Sequence, residues 1–225
     1  MAFNGKLAIS ALVKYSLGLF FVSLLLFVPA GSIEYAGAWL FIALLFVPML
    51  IMGVAVFILS PQLLERRLKS KESRGTQKGV VALSGVIFLV GFVVAGLDFR
   101  FGWSAVQPSV RIAASLLFLL SYTLYGEVMR ENEWLSRTIG VSEGQKVVST
   151  GLYGIVRHPM YFATILLFLS IPLILGSWWS FAAFLLYIPA IVVRTLDEER
   201  QLLQELDGYK EYCSRIRWRI LPFVW

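Results

Sequence analysis

Residues 36–59 read AGAWLFIALLFVPMLIMGVAVFIL, an unbroken apolar run without a charged side chain. A helix needs about 20 apolar residues to cross a lipid bilayer, so this run is long enough to do so. The rest of the 225-residue chain has a similar character, with 58% hydrophobic residues, 15% charged residues and a mean hydropathy of +0.76. This composition excludes an ordinary soluble domain and predicts an integral membrane protein.

Further apolar runs accompany residues 36–59, and together they predict an all-α bundle of about five to six transmembrane helices. The six runs cover residues 7–28, 36–59, 80–97, 112–128, 160–175 and 178–193. The first run has features of a secretory signal, but the apolar run that follows it favours a retained span. The last two runs are short and are joined by Gly176-Ser177. They are interpreted as two crossings or as a tilted helical hairpin, which would give five full crossings and a partial one.

The positions of the basic residues predict the orientation of the chain. With a cytoplasmic N-terminus and six crossings, all lysines and arginines except Arg100 and Arg111 fall on the cytoplasmic side. This asymmetry is the positive-inside pattern, and it accounts for the net charge of +6 without a nucleic-acid partner. Both termini are therefore expected in the cytoplasm. The basic segment 61–78 is interpreted as a cytoplasmic, partly interfacial segment rather than as a dedicated contact for anionic lipid or substrate.

Several kinds of site are excluded by the residues that the chain contains. It has a single cysteine, Cys213, and a single histidine, His158, so we expect neither an internal disulfide nor a metal site. It also lacks a G-x-G-x-x-G element after a strand, a phosphate-binding loop, an H-E-x-x-H motif and a nucleophile elbow. A Rossmann-type nucleotide domain, a zinc protease and a serine hydrolase are thereby excluded.

Residues 151–161, GLYGIVRHPMY, form the candidate binding segment, where polar sequence turns back into an apolar run. Proline suits the first turn of a helix, because its fixed φ fits and its missing N–H would lack a partner there. The residue before a proline is biased towards extended geometry. We therefore expect a helix to begin near Pro159 with His158 at its cap. The free N–H groups and the dipole of such a helix start attract a carboxylate or a phosphate.

Three polar cytoplasmic segments are expected to close a roof over the inner ends of the last helices. They comprise residues 127–146, residues 194–200 and the tail, in which Tyr209, Tyr212 and Ile216 fall on one helical face. The polar residues of the chain thus gather on one side of the membrane.

Arg194 and Glu198 lie four residues apart where the last apolar run meets the cytoplasm, so they are neighbours on one helical face. One explanation for this spacing is an ordinary surface ion pair, which contributes about 0.3–0.5 kcal/mol to stability. A functional site is the other, since Arg194 directly follows apolar residues and a lone charge at mid-bilayer costs about 2.5–3.5 kcal/mol. Position alone leaves both interpretations open.

Four short motifs in the second half of the chain carry a family resemblance. They are T-G-L-Y at 150–153, R-H-P-M-Y at 157–161, R-T-L-D-E-E at 194–199, and G-Y-K-E-Y at 208–212 followed by Leu221-Pro222. With these motifs, the chain from about residue 130 to 225 resembles the catalytic region of the isoprenylcysteine carboxyl methyltransferase family, membrane enzymes related to phospholipid N-methyltransferases. The first 125 residues match only as generic spans. Ala163 departs from the pattern, because many members have glycine there.

The resemblance implies a cofactor, S-adenosyl-L-methionine, held on the cytoplasmic side over the last helices. Residues 130–225 would then be the cofactor-binding and catalytic region, and residues 1–129 the N-terminal transmembrane helices. Arg194 is implied to face the methyl acceptor. The residues implied to contact the cofactor are Gln145, Lys146, Val147, Val148, Tyr153, His158, Pro159, Met160, Tyr161 and Glu198.

The implied function is methyl transfer to a lipophilic acceptor that reaches the site from the bilayer. Carboxyl O-methylation of a prenylcysteine-type substrate is the leading candidate. A carboxylate with an ordinary pKa of about 4 is ionised at pH 7 and needs no general base. The alternatives are N-methylation of a phospholipid or another amine, and an NADPH-dependent membrane sterol reductase. A transporter or scaffold would place its polar residues near mid-membrane, which is not the pattern here.

Overall fold

The computed structural model describes residues 5–68, 75–135 and 140–225. Within these residues the chain forms helices and no strand, which confirms the all-α fold. In chain order the helices are α1 (Gly5–Ala30), α2 (Ala36–Leu59), α3 (Pro61–Leu68), α4 (Gly75–Phe101), α5 (Pro108–Glu131), a 3-10 turn (Gly151–Gly154), α6 (Pro159–Leu175), α7 (Trp178–Leu185), α8 (Tyr187–Glu205) and α9 (Tyr209–Arg215).

Five of the described helical segments are long and apolar enough to cross a membrane. They are α1, α2, α4, α5 and the 28-residue stretch formed by α7 and α8, whereas the apolar helix α6 has 17 residues. The bundle of five to six membrane helices is therefore confirmed. The helical stretch that contains the last apolar run, residues 178–193, is longer than the run itself, because it continues through charged residues to Glu205. Leu186 interrupts this stretch, where Pro189 has no N–H for the carbonyl of Leu185.

The boundaries of α6 follow from its flanking residues. The helix begins at Pro159 with His158 as its N-cap, which confirms the prediction. It ends at Gly176, whose φ of +86° lies in the left-handed region that favours glycine. Ser177 then caps α7, since its hydroxyl oxygen accepts a hydrogen bond from the N–H of Ser180 at 3.0 Å. This tight turn joins the two last predicted runs.

The densest part of the core lies in one half of the bundle, formed by the C-terminal half of α1, the N-terminal half of α2 and parts of α4 to α7. Phe41, Phe118 and Phe184 are completely buried there. Gly96 allows α4 to approach α1, because a Cβ at this position would lie 2.8 Å from the carbonyl oxygen of Leu26. The N-terminal half of α1 and the C-terminal half of α2 lie outside this core and line a cavity instead.

A buried carboxylate, Asp98, cross-links the helices at this densely packed end. It accepts hydrogen bonds from the N–H of Ser104 at 2.7 Å, from the Ser104 hydroxyl at 2.6 Å and from the Ser177 hydroxyl. Nearby, the Tyr35 hydroxyl donates to the carbonyl of Leu175 at 2.7 Å. Fully satisfied buried networks of this kind rigidify a structure. The bundle is thus closed at one end, and its free volume lies at the other.

Candidate active site

One cavity of about 1080 Å³ occupies the end of the bundle opposite to Asp98. Its walls have two different characters, which we call the apolar arm and the polar end. The apolar arm is lined by side chains of α1, α2 and α4, among them Leu12, Phe46, Met49, Phe57, Val81 and Phe88. The polar end is lined by side chains of α6, α8, α9 and the segment before α6, among them Lys146, Arg157, His158, Tyr161, Arg194 and Glu198.

Arg194 and Glu198 meet through a phenol at the wall of the polar end. Arg194 Nε donates to the Tyr161 hydroxyl at 3.0 Å, and that hydroxyl donates to the Glu198 carboxylate. Arg194 Nη1 also donates to Oε1 of Gln77 on α4 at 3.1 Å. The expectation that Arg194 and Glu198 share one helical face is confirmed. Together with Tyr161 they present a cation, a hydroxyl and an anion to the cavity.

Glu199, the next residue along α8, faces a separate cluster formed by two guanidinium groups and an imidazole. Its carboxylate accepts from Arg219 Nε at 2.7 Å and lies 3.0 Å from Arg157 Nε and 3.3 Å from His158 Nε2. Adjacent residues of a helix point roughly 100° apart, so Glu198 and Glu199 have different surroundings although they form one acidic pair in the sequence. His158 is therefore a wall residue whose Nε2 faces a carboxylate of the protein.

The tail holds the segment before α6 in place through its backbone. The N–H groups of Arg157 and His158 donate to the carbonyls of Trp218 and Arg219 at 2.9 and 2.8 Å. Ile220 is buried against residues of α8. The tail is therefore part of the site's framework, because it fixes both the cap of α6 and the position of the Arg219 side chain.

Three buried tyrosines outside the membrane helices also line the polar end. The Tyr153 hydroxyl accepts from Nδ2 of Asn132 at 2.9 Å, and the Tyr212 hydroxyl donates to the Tyr153 carbonyl at 2.7 Å. The Tyr209 hydroxyl has no hydrogen-bond partner among the described residues, although the residue is only 4% exposed. Burial raises the pKa of all three phenols well above their usual value, so they stay protonated at physiological pH.

The unpartnered hydroxyl predicts an unusual effect of Tyr209→Phe on stability. A buried polar group without a partner costs about 1–3 kcal/mol, so removing this hydroxyl is expected to raise the free energy of unfolding of the ligand-free protein. Tyr212→Phe is the matched comparison, because it removes a hydroxyl that is bonded to a carbonyl. We expect it to lower the same free energy by about 1 kcal/mol.

Thermal or denaturant unfolding of both variants in detergent measures these changes. Opposite signs for the two variants agree with the described hydrogen bonds. Equal destabilisation by both variants would mean that the Tyr209 hydroxyl is bonded in the ligand-free protein, contrary to the structure.

Most of the predicted site residues are brought to the cavity wall. Those that line it are Gln145, Lys146, Val147, Val148, Tyr153, His158, Met160, Tyr161, Arg194 and Glu198. Pro159 differs, because it is buried as the first residue of α6 and does not belong to the wall. Its fixed φ starts the helix instead. The roles of these residues in binding a cofactor or an acceptor stay predictions.

Sequence reasoning did not find four residues that shape the site: Gln77, Glu199, Tyr209 and Arg219. Glu199 had a signal, since it adjoins Glu198 in a motif, but the motif does not reveal that the two carboxylates diverge. Tyr209 also had a signal in the sequence, because it falls on one helical face with Tyr212 and Ile216. Gln77 and Arg219 come from distant parts of the chain, and nothing in their local sequence indicates what they contact.

Helix α3 and the first four residues of α4, 75–78, make up the described part of the basic segment 61–78. The Lys14 ammonium on α1 donates to the carbonyl of Leu68 at 2.5 Å, and the Arg67 guanidinium lies 5.3 Å from the ring centroid of Tyr125 on α5. The short helix thus connects α1 with α5 at the cavity. Residues 69–74 of this segment and residues 136–139 of the predicted roof lie outside the described residues.

The fold and the cavity define an all-helical, multi-pass membrane protein with a polar site at one end of an apolar cavity. Residues 109–209 match the model of a family described as phospholipid methyltransferase. The match runs from α5 to the start of α9 and includes Tyr161, Arg194 and Glu198. It supports a membrane methyltransferase family at this general level, without singling out the isoprenylcysteine carboxyl methyltransferases.

Part of the chain is also similar to a protein of Mus musculus named delta(14)-sterol reductase TM7SF2. The two sequences are 32% identical over 91 residues, which is 39% of this chain and 22% of the mouse protein. The chain therefore spans only about a fifth of the length of this relative. The similarity gives partial support to the reductase alternative.

Proposed function

We propose that this protein is an S-adenosylmethionine-dependent methyltransferase that acts on a lipophilic acceptor. The main observation in support is the two-part cavity. Its polar end suits a water-soluble cofactor, and its apolar arm suits a lipophilic acceptor. The match of residues 109–209 to a methyltransferase family supports the same conclusion. With the orientation predicted from the basic residues, the polar end faces the cytoplasm, where the cofactor is available.

The residues of the polar end fit this cofactor chemically. Tyr209 lines the cavity, and its buried hydroxyl has no hydrogen-bond partner among the described residues, so this residue is suited to a polar ligand. The Glu198 carboxylate accepts hydrogen bonds and suits an ammonium or ribose hydroxyls. The rings of Tyr153 and Tyr212 suit a cation. When bound, S-adenosylmethionine supplies an electrophilic methyl group on a positively charged sulfur.

Arg194 is proposed to orient an acidic acceptor. Its guanidinium shares the cavity wall with Lys14, Arg67 and Lys146, whereas Glu198 is the acidic side chain described in that wall. This excess of positive charge favours an anion, and a planar guanidinium binds a carboxylate through two parallel hydrogen bonds. A carboxylate is already ionised at pH 7, so the residues need only align it. The proposed acceptor is therefore a prenylcysteine-type carboxylate.

The apolar arm serves the chemistry as well as the binding of the acceptor. Methyl transfer from a sulfonium to a carboxylate removes two opposite charges as it proceeds. Side chains such as Met49, Phe57 and Phe88 exclude water from the lipid side of the cavity. Such an environment solvates separated charges less well than water. It therefore favours the transition state, in which the two charges are partly neutralised, over the reactants.

N-methylation of a phospholipid or another amine is the second candidate, and the description of the matched family favours it. An amine acceptor must lose a proton to become nucleophilic, so it needs a base at the site. Glu198 is the carboxylate at the wall that this mechanism would use. Arg194 would then disfavour the charged amine rather than bind it.

An NADPH-dependent sterol reductase is the third candidate, and the similarity to the mouse protein favours it. The 2′-phosphate of NADPH would call for a cluster of arginines, which Arg157 and Arg219 do not offer freely because both contact the Glu199 carboxylate. The described residues therefore support this function less well than the two methyltransferase functions.

The test is transfer of a labelled methyl group from S-adenosylmethionine to three acceptors in detergent or vesicles: a farnesylated cysteine derivative, an aminophospholipid and a fatty acid. We expect label on the farnesylated cysteine as a base-labile methyl ester. Base-stable label on the aminophospholipid alone would instead establish the N-methylation reading. Binding of NADPH by fluorescence titration, without binding of S-adenosylmethionine by calorimetry, would overturn both methyltransferase readings.

A further inference from the structure

Gln77 lies at the start of α4, outside the region that matches the methyltransferase family, yet its side chain reaches two charged residues of α8. Its Oε1 accepts a hydrogen bond from Arg194 Nη1 at 3.1 Å, and its Nε2 donates to Asp197 Oδ2 at 2.5 Å. The side chain is completely buried. Gln77 does not line the cavity, so it has no direct contact with a ligand there.

These two hydrogen bonds determine which way the amide of Gln77 points. Arg194 can only donate hydrogen bonds and the Asp197 carboxylate oxygen accepts one, so the amide oxygen faces Arg194 and the amide nitrogen faces Asp197. Hydrogen bonds to charged partners are the strong ones, particularly in a buried place. Asp197 therefore holds the amide in the one orientation that supports Arg194.

Arg194 is consequently anchored from two other helices. Its Nη1 is bound to Gln77 on α4 and its Nε to Tyr161 on α6, although the guanidinium itself belongs to α8. A flexible arginine side chain has considerable rotamer entropy. Its planar guanidinium binds a carboxylate well only when it lies in the plane of that carboxylate. Two anchors on separate helices supply that restraint before any acceptor arrives.

We propose that Gln77 is a positioning residue that orients the Arg194 guanidinium for the acceptor, and that α4 thereby contributes to acceptor selectivity. This inference rests on the proposed function, in which Arg194 binds the acidic group of the acceptor. It predicts that the amide matters for the acceptor and not for the cofactor, because the residues assigned to the cofactor lie on α6, α8 and the roof.

The first test is Gln77→Leu, which keeps a similar shape without polar atoms. We expect the KM for the farnesylated cysteine derivative to rise about tenfold, as is typical when a hydrogen bond to a charged group is lost, with the Kd for S-adenosylhomocysteine within about twofold of the wild type. Gln204→Leu is the matched control, because Gln204 is exposed on α8. It is expected to leave both values unchanged.

The second test exchanges the polarity of the contact with Asp197. Gln77→Glu places two carboxylates against each other and is expected to raise the acceptor KM at least as much as Gln77→Leu does. In the double variant Gln77→Glu/Asp197→Asn, the new amide can donate to the new carboxylate, and that carboxylate can still accept from Arg194. The acceptor KM of the double variant is expected to return to within about threefold of the wild type.

The outcomes separate this inference from the proposed function. A wild-type protein without methyl transfer to any acidic acceptor overturns the acidic acceptor of the proposed function, and the role of Gln77 falls with it. An active wild type with an unchanged acceptor KM in Gln77→Leu overturns the role of Gln77 alone. Joint loss of cofactor binding and turnover in Gln77→Leu, or no recovery in the double variant, overturns it in favour of a purely structural contact.

Discussion

Arg194→Ala is expected to lower kcat/KM for a carboxylate acceptor about 100-fold, the loss that follows when a charge-assisted pair worth about 3 kcal/mol is removed. The guanidinium lies at the cavity wall and is held by Tyr161 and Gln77, so its orientation is fixed before the acceptor binds. Cofactor affinity is expected to stay within about twofold, because Glu198 keeps its hydrogen bond from Tyr161. Steady-state kinetics and calorimetry on the same preparations measure both quantities.

Two further variants make this result specific. Arg194→Lys keeps the charge but loses the planar guanidinium. We therefore expect kcat/KM to fall about tenfold, which lies between the values for the wild type and Arg194→Ala. Arg200→Ala removes an exposed arginine from the same helix and is expected to change nothing. If Arg194→Ala instead leaves turnover intact while methyl label appears on an amine, the acidic acceptor is the wrong one and Arg194 does not bind it.

Glu199→Gln is expected to destabilise the protein by about 3 kcal/mol, the lower part of the range for removing one partner of a buried ion pair. Three positive or polarised groups, on Arg157, His158 and Arg219, face this carboxylate, and two of the three residues come from the segment before α6. Arg219 is 33% exposed, so water compensates part of the loss. The free energy of unfolding in detergent is the quantity to measure.

Glu198→Gln is the matched variant, because it makes the same chemical change one residue earlier. Its amide oxygen can still accept from Tyr161, so stability is expected to change by less than about 1 kcal/mol. Cofactor affinity is expected to fall about tenfold, as the loss of a charged acceptor implies. A large loss of stability in Glu198→Gln, with little change in Glu199→Gln, would contradict the roles that the structure gives the two carboxylates.

The fold was largely predictable, because apolar length and helix-ending residues act locally. The run at 36–59 became α2 with the same bounds, and Pro159 begins α6 as expected. The apolar run 178–193 did not reveal where the last helix ends, because hydropathy indicates which residues lie in the membrane rather than how long a helix is. The stretch from Trp178 therefore continues as helix beyond its apolar part to Glu205.

The site was predictable only where a motif gathers its residues in one stretch or one helix face. Tyr161, Arg194 and Glu198 could be named in advance for this reason. Gln77 and Arg219 could not, since their importance depends on contacts with α8 that span long distances along the chain. The different surroundings of Glu198 and Glu199 likewise depend on what packs around α8, which neighbouring positions in a sequence do not specify.

The pairing of residues 157–158 with residues 218–219 has a consequence for biosynthesis. The cap of α6 is completed by carbonyls that are made about 60 residues later, whereas chains begin to fold from their N-terminal parts during synthesis. Helices α1 to α5 therefore enter the bilayer while the polar end is still open. We expect lipid chains, rather than water, to be the first occupants of the apolar arm, so the acceptor enters by exchanging with lipid in an arm that was filled from the start.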